Sequence, residues 1–285
     1  MAKKGQSMHE NLREFSSYMS SIIPIMRVRM IVQPTRVNYG GNKAQCFLHY
    51  ATPISPEHIL VIYIHGDGWN SGSPSDFHFI GQNIALQGYD CIMLGYRKTP
   101  KFRFDDIRDD IFAGYKAALD YIAEQNLHYN KIVIMGSSAG AHLGALLCFD
   151  SHSQKKFDIK VENINGLISL AGPLCFGMPQ TGTLNRWTRD LFFGTRNRAE
   201  GDPIMLLKQG QKVPSLIIHS RRDGLIGFEQ AQTFCKKAIS LDIPAELYEI
   251  SNTNDTHYAY SVGLFLKERG ESEILDKIYT WIDML

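Results

Sequence analysis

The sequence predicts an α/β fold, a mostly parallel central sheet with helices on both faces, and three observations carry that expectation. Continuous apolar runs recur at Ile59 to Ile64, Cys91 to Leu94 and Ile132 to Met135, as strands buried on both faces require. Amphipathic segments with helical spacing lie between them, and strands that alternate with helices build parallel sheets with right-handed crossovers. Several of the runs end in turns rich in glycine, histidine or serine, at one common edge of such a sheet.

In chain order, Met8, Leu12, Phe15, Met19, Ile22, Ile23 and Met26 recur every three or four residues. They predict an amphipathic helix over about 8–30, interrupted near Pro24, whose apolar face covers something apolar. Flank, flap over a site and dimer contact stay open for it. Alternation around Gly40-Gly41 predicts two short antiparallel edge strands between Arg36 and Tyr50, then a loop from Pro53 to His58. The Ile59–Ile64 strand follows and ends in His65-Gly66-Asp67-Gly68-Trp69, where glycines let backbone N–H groups approach a ligand.

Residues 77–86 read as a helix and Cys91–Leu94 as a strand leading into Gly95-Tyr96-Arg97. A long amphipathic helix then carries Ile107, Ile111, Tyr115, Ala118, Leu119 and Ile122 at helical spacing. Asp105, Asp106, Asp109 and Asp110 crowd its N-terminal end, where the helix dipole favours negative charge without any metal. Strand Ile132–Met135 leads into Gly136-Ser137-Ser138-Ala139-Gly140, a Gly-x-Ser-x-Gly turn that exposes Ser138 at the start of a helix. Further strands are expected at 164–170, 215–219 and 245–250, and helices at 228–239 and 271–285. Between the first two of these strands, about 174–213 reads as a small cap-like insertion, because a structureless connection of that length is unusual in a compact domain.

Composition narrows the function. The 285 residues, 44% hydrophobic and 21% charged, suit one α/β domain over 1–285, and no repeat or low-complexity linker divides them. A formal net charge of +1 gives no reason to expect nucleic acid or an anionic membrane as partner. The five cysteines, Cys46, Cys91, Cys148, Cys175 and Cys235, contain no C-x-x-C pair, so reduced buried thiols are expected in place of zinc or redox chemistry. No sustained apolar segment follows Ala2-Lys3-Lys4, and the expected location is the cytoplasm. A homodimer through the sheet edge or the N-terminal helix stays open.

The chemistry is assembled around Ser138. A serine hydroxyl needs a base, and that base needs an orienting group. His257 follows the 245–250 strand after the polar loop Ser251 to Thr256, and Asp223 lies just past the 215–219 strand, so both emerge at the edge that carries Ser138. Asp255 is the second candidate acid, but it sits two residues from His257, a cramped position from which to hold the ring. His65, His142 and His219 read as structural. A non-catalytic binding protein of the same fold is the alternative from another class; it would be marked by lost triad members, and all three are present.

HGDGW at 65–69, Tyr96-Arg97, GSSAGAHL at 136–143 and the late Asp and His resemble the α/β-hydrolase superfamily. Within it the chain is similar to the hormone-sensitive-lipase-like esterases and the related acyl-esterase and kynurenine formamidase group, with HGG-type turns and G-x-S-A-G elbows. The likeness runs over roughly 58 to 260. It implies an α/β-hydrolase fold, Ser138 as nucleophile, His257 as base, Asp223 as its partner, and an oxyanion hole from the N–H groups of Asp67, Gly68 and Ala139. It also implies no metal and no organic cofactor. The expected reaction is hydrolysis of a small carboxylic ester through an acyl-enzyme. Trp69 to Ser73 and the Phe77/Phe79 region also resemble the formamidase branch, so aryl-formamide hydrolysis is the close alternative. Trp69 is the expected substrate contact, within an apolar wall that includes Trp187, Phe192 and Phe193. Asp67 departs from the family glycine, and its side chain is expected to face away and pair with a neighbouring donor.

Overall fold

The computed structural model describes residues 8–53, 58–251 and 255–285, apart from the side chains of residues 8–11, 21 and 22. The loops expected at 53–58 and 251–256 lie partly outside the described residues, as does the basic N-terminal stretch.

Eight strands, Thr35–Asn38 (β1), Cys46–Tyr50 (β2), Ile59–Ile64 (β3), Asp90–Leu94 (β4), Lys131–Ser137 (β5), Gly166–Leu170 (β6), Ser215–Ser220 (β7) and Ala245–Ile250 (β8), form one sheet. Their order is β1-β2-β4-β3-β5-β6-β7-β8. The β1–β2 and β2–β4 pairs are antiparallel, and every pairing from β4 to β8 is parallel. Period-two alternation sorts β3 between two cores: Leu60, Ile62 and Ile64 enter one, Ile59, Val61 and Tyr63 the other.

The helices are Met8–Arg27 (α1), His78–Leu86 (α2), Phe104–Glu124 (α3), Ala139–Phe149 (α4), Ser151–Lys156 (α5), Gly182–Leu191 (α6), Pro203–Leu206 (α7), Phe228–Ser240 (α8), His257–Ser261 (α9) and Glu273–Met284 (α10). Apolar residues of α3, α4 and α8 fill the first core, and those of α2 and α10 the second. Every residue of α4 is buried, as an all-round apolar helix demands. It starts so close to β3 that a Cβ on Gly140 would lie 1.9 Å from the Ile64 carbonyl oxygen, which only glycine avoids.

Two expectations change. Helix α1 continues through Pro24 to Arg27. The ring removes the N–H that would bond the Ser20 carbonyl, but Ser20 is exposed and the helix ends one turn later, so the loss falls where water satisfies the acceptor. The apolar face of α1 does not enter a core: Leu12, Phe15, Met19, Ile23 and Met26 are exposed, and of these Phe15 and Met26 line a cavity. Spacing reports which residues share a face, not which face meets the protein, and here polar contacts decide. Two short helices have no prediction at all: α5, and α9, which follows the polar loop at once.

The acidic cluster of α3 is spent on local contacts. Asp106 accepts from the Arg103 N–H, Asp105 pairs with Arg108, and Asp109 with Lys156. Buried Asp110 takes the Arg97 guanidinium and the Gln45 amide.

Candidate active site

The carboxyl ends of β3, β5, β7 and β8 deliver the candidate residues to one edge of the sheet, where open α/β sheets place their ligands. Ser138 adopts φ 52° and ψ −120° between β5 and α4, a left-handed conformation costly for a side-chain-bearing residue and a mark of functional sites. Its N–H bonds the Leu170 carbonyl at 2.7 Å, which ties the elbow to β6. Behind it, the Ser137 hydroxyl meets Tyr63 Oη at 2.6 Å and donates to the Ser261 carbonyl at 2.5 Å. The elbow is thereby fastened to α9.

His257 opens α9 and is buried, and its Nδ1 lies 2.8 Å from Asp223 Oδ2. With Nδ1–H donating to the carboxylate, Nε2 is left as the acceptor. The side chain of Asp223 is fully shielded from solvent. Its Oδ1 accepts the Leu225 and Ile226 N–H groups at 2.8 Å each, and its Oδ2 also accepts the Tyr260 hydroxyl at 2.5 Å. Burial alone would raise the pKa of Asp223, but the His257 charge and hydrogen bond outweigh it and hold the group at about 2. For His257, burial opposes the imidazolium, yet the Asp223 charge and hydrogen bond and the field of Glu14 leave its pKa above the ordinary value of 6.5.

Ser138 and His257 line one cavity of about 600 Å³, although no Ser138–His257 hydrogen bond forms among the described residues. Such contacts are often long before substrate binds. Asp67, Gly68 and Trp69 follow one another at φ 76°, 62° and 60°, a sharp turn that brings the main chain to the cavity. Among the described residues, the N–H groups of Asp67, Gly68 and Ala139 bond no carbonyl. Ala139 is the first residue of α4, whose N–H is left over by helix geometry.

Two site expectations are corrected. Trp69 is buried away from the cavity; its Nε1 donates to His142 Nδ1 at 3.2 Å, and its ring packs edge-on against that imidazole. The reason is the run of positive φ, which leaves Asp67 and Gly68 on the cavity and sends the Trp69 indole into the core. Trp187 of α6 does stand in the wall, as expected, with its ring 3.0 Å from where a Gly68 Cβ would stand. Phe192 is likewise core, and Phe193 is exposed. Asp67 is exposed, lines the cavity, and has no side-chain hydrogen bond or ion pair among the described residues, so the expected donor is missing.

The other histidines have scaffolding contacts. His65 stacks between Tyr96 at 4.6 Å and Phe77 at 5.4 Å, and Lys98 Nζ sits 3.2 Å from its Nε2. Burial pulls that lysine down to about 7. His142 Nε2 donates to the Gly201 carbonyl at 2.8 Å, joining α4 to the 174–213 stretch, and burial lowers its pKa to about 4. His219 Nε2 donates to the Ile226 carbonyl at 3.0 Å. Asp255, the second candidate acid, pairs with Arg13 at 3.3 Å and Arg222 at 2.8 Å.

Residues that sequence reasoning did not single out complete the site. Tyr260 shares the Asp223 carboxylate with His257. Its position one turn past His257 is legible only once α9 is known to be helical. Helix α1 brings Glu14, Phe15, Tyr18 and Met26 into the cavity wall; helical spacing names Phe15 and Met26 and leaves a place over a site open, but nothing local points to Glu14 or Tyr18.

A protein-family model, BD-FAE, matches residues 49–238, more than half of the 285-residue chain. The chain belongs to the BD-FAE family. The matched stretch contains Ser138 and Asp223 and ends before His257. Among curated proteins, this family member is 25% identical over 273 residues to Esterase LipC of Mycobacterium tuberculosis, covering 85% of this chain and 67% of that one. It is 26% identical over 151 residues to Kynurenine formamidase of Danio rerio, covering 50% of each. The chain thus spans between half and two thirds of these relatives' lengths. Among solved structures, Esterase B from Lactobacillus rhamnosis superposes with a TM-score of 0.76 at 17% identity, over 97% of this chain and 94% of that one. A hormone-sensitive lipase from a metagenome library gives 0.72 at 20% identity, over 95% and 92%. At these identities the superpositions carry the fold alone: an α/β-hydrolase fold with a mostly parallel sheet.

Among the described residues, no helix is long and apolar enough to cross a membrane.

Proposed function

We propose that this BD-FAE family member is a serine hydrolase that cleaves a small carboxylic ester through an acyl-enzyme. The observation that carries the reading is the His257–Asp223 pair at 2.8 Å, with His257 and Ser138 on the wall of one cavity. His257 Nε2 takes the proton as Ser138 Oγ attacks the acyl carbonyl, and returns it to the leaving alcohol; water then repeats the cycle on the acyl-enzyme. Asp223 holds the ring in the tautomer that leaves Nε2 free. The N–H groups of Asp67, Gly68 and Ala139 stabilise the tetrahedral oxyanion. Phe15, Tyr18, Phe77, Trp187 and Tyr258 give the cavity an aromatic lining that suits an apolar acyl or alkyl group. Turnover of p-nitrophenyl esters from acetate to decanoate, with N-formylkynurenine alongside, tests the reading. Hydrolysis of the shorter esters is the expected result, and failure to turn over any of these compounds would favour the binding-protein alternative.

Aryl-formamide hydrolysis is the second reading, supported by the kynurenine formamidase relative and by the same machinery, which acts on a formyl amide without alteration. Preference for N-formylkynurenine over every ester would establish it. Five free, buried cysteines suit a reducing compartment, and we place the protein in the cytoplasm on that ground; recovery in a secreted or membrane fraction would contradict this.

The raised pKa of His257 sets the acid limb of the pH profile. The base works as neutral imidazole, so kcat/KM is expected to rise with pH through a midpoint above 6.5 and then level off. A midpoint clearly below that value would mean that Asp223 does not hold the ring in solution.

Asp67 is the departure most exposed to test. Its carboxylate is solvated, and solvent screens the field of an exposed charge. Asp67→Asn, which also tolerates a left-handed backbone, is therefore expected to change kcat by less than about tenfold. A rise of about a hundredfold would place the carboxylate against the developing oxyanion.

A further inference from the structure

Helix α1 presents its side chains against the usual order. Leu12 and Phe15 are 61% and 62% exposed, while the carboxylate-bearing Glu14 between them is 6% exposed. A carboxylate is among the costliest groups to take out of water, so its partners indicate what holds it there. Glu14 Oε1 accepts the Gly224 N–H at 2.8 Å, and Oε2 and Oε1 accept the His257 N–H at 2.9 and 3.1 Å. Gly224 adjoins Asp223, so one carboxylate joins the main chain of the acid loop to that of the base. Further polar and aromatic contacts of α1 fall beside the same two residues, Asp223 and His257. Ser17 Oγ meets Thr256 Oγ1 at 2.7 Å, Tyr18 packs edge-on against Tyr258, and Arg13 reaches Asp255 and the Arg222 carbonyl.

We infer that Glu14 is a positioning residue of the active site: α1 supplies a second carboxylate that locks the Asp223 and His257 loops in register and offsets the imidazolium charge formed when His257 takes the Ser138 proton. The inference rests on the triad reading above. The charge has a route to act, because Glu14 lies near both ends of the pair: burial and the Asp223 charge raise its own pKa, while the Gly224 and His257 N–H groups oppose them. The groups facing the pair are Asp223 and His219 from the end of β7, Tyr260 and Tyr258 from α9, and Glu14 with Arg13 from α1. Asp255 and Arg222 form an ion pair beyond Arg13, and Asp67 faces the same cavity. Of these, Glu14 is the one carboxylate besides Asp223 that bonds the His257 residue itself.

The test is the titration of His257, followed by NMR in full-length histidine-labelled protein, for wild type, Glu14→Gln and Glu14→Asp, beside kcat and KM for p-nitrophenyl acetate. Glu14→Gln keeps the shape and removes the charge. It is expected to lower the His257 midpoint by about half to one pH unit and kcat by about 10- to 100-fold, with KM within about threefold. Glu14→Asp keeps the charge and is expected to restore the midpoint in part. If Glu14→Gln folds poorly, the midpoint of Glu14→Asp against wild type still reads the electrostatic coupling. The midpoint needs no turnover, so a shift in a protein that cleaves no ester would sink the esterase reading and leave the carboxylate's role standing. An unchanged His257 midpoint, or a kcat within about twofold of wild type in folded Glu14→Gln, overturns the inference.

Discussion

Ser138→Ala is expected to lower turnover of p-nitrophenyl acetate by about 10³- to 10⁶-fold while leaving the fold intact. The serine hydroxyl is the only atom removed. The features that hold the elbow in place belong to its surroundings: the Ser138 N–H on the Leu170 carbonyl, the Ser137 hydroxyl on Tyr63 and Ser261, and the close approach of Gly140 to β3. Alanine meets the same positive φ as serine, so the backbone strain is carried over and the melting temperature should move little. Residual hydrolysis above the uncatalysed rate would come from the oxyanion N–H groups and the cavity, which the substitution leaves in place. A loss below about tenfold, measured on protein free of contaminating esterase, would mean that another nucleophile carries the reaction.

Asp223→Asn should cost about 10³- to 10⁴-fold in kcat through the tautomer of a neighbouring ring. All four bonds to the carboxylate are accepted ones: Leu225 and Ile226 N–H on Oδ1, His257 Nδ1–H and the Tyr260 hydroxyl on Oδ2. An asparagine must turn its NH₂ towards one pair. The main-chain donors cannot rotate away, so the NH₂ faces His257 and Tyr260. The tyrosine hydroxyl can turn and accept; the imidazole can accept at Nδ1 only by carrying its proton on Nε2, where it can no longer take one from Ser138. The acid limb of the remaining activity should also move to lower pH, because the charge that raised the His257 pKa is gone. A loss of less than about tenfold would point to a different acid, with Asp255 the first to examine, although Arg13 and Arg222 already hold that carboxylate.

Much of this site was legible because the residues that build it are written locally. β3 and β5 are short apolar runs that end in turns with glycines at fixed offsets, and chain order alone brings Ser138, Asp223 and His257 to one edge of a parallel sheet. What escaped depends on contacts distant in sequence. Glu14 lies 210 residues from Gly224 and 243 from His257, and no spacing rule connects them. The α1 pattern gave the helix but not its rotation, since the three hydrogen bonds to Glu14 outweigh the burial of Leu12 and Phe15. Trp187 keeps its expected place in the wall, but Trp69 leaves it for a comparable reason: three successive positive φ angles decide where the Trp69 indole goes, and sequence does not display them. Tyr260 was hidden because no element was predicted immediately after Thr256, whereas α9 turns its hydroxyl onto the same oxygen as His257.

Whether Ser138 is an activated nucleophile is read by intact-protein mass spectrometry after reaction with a p-nitrophenyl alkylphosphonate. One phosphonyl adduct per chain is expected, located by peptide mapping on Ser138, absent from Ser138→Ala and formed more slowly in Asp223→Asn. An adduct on another residue, or none in folded wild-type protein, would contradict it.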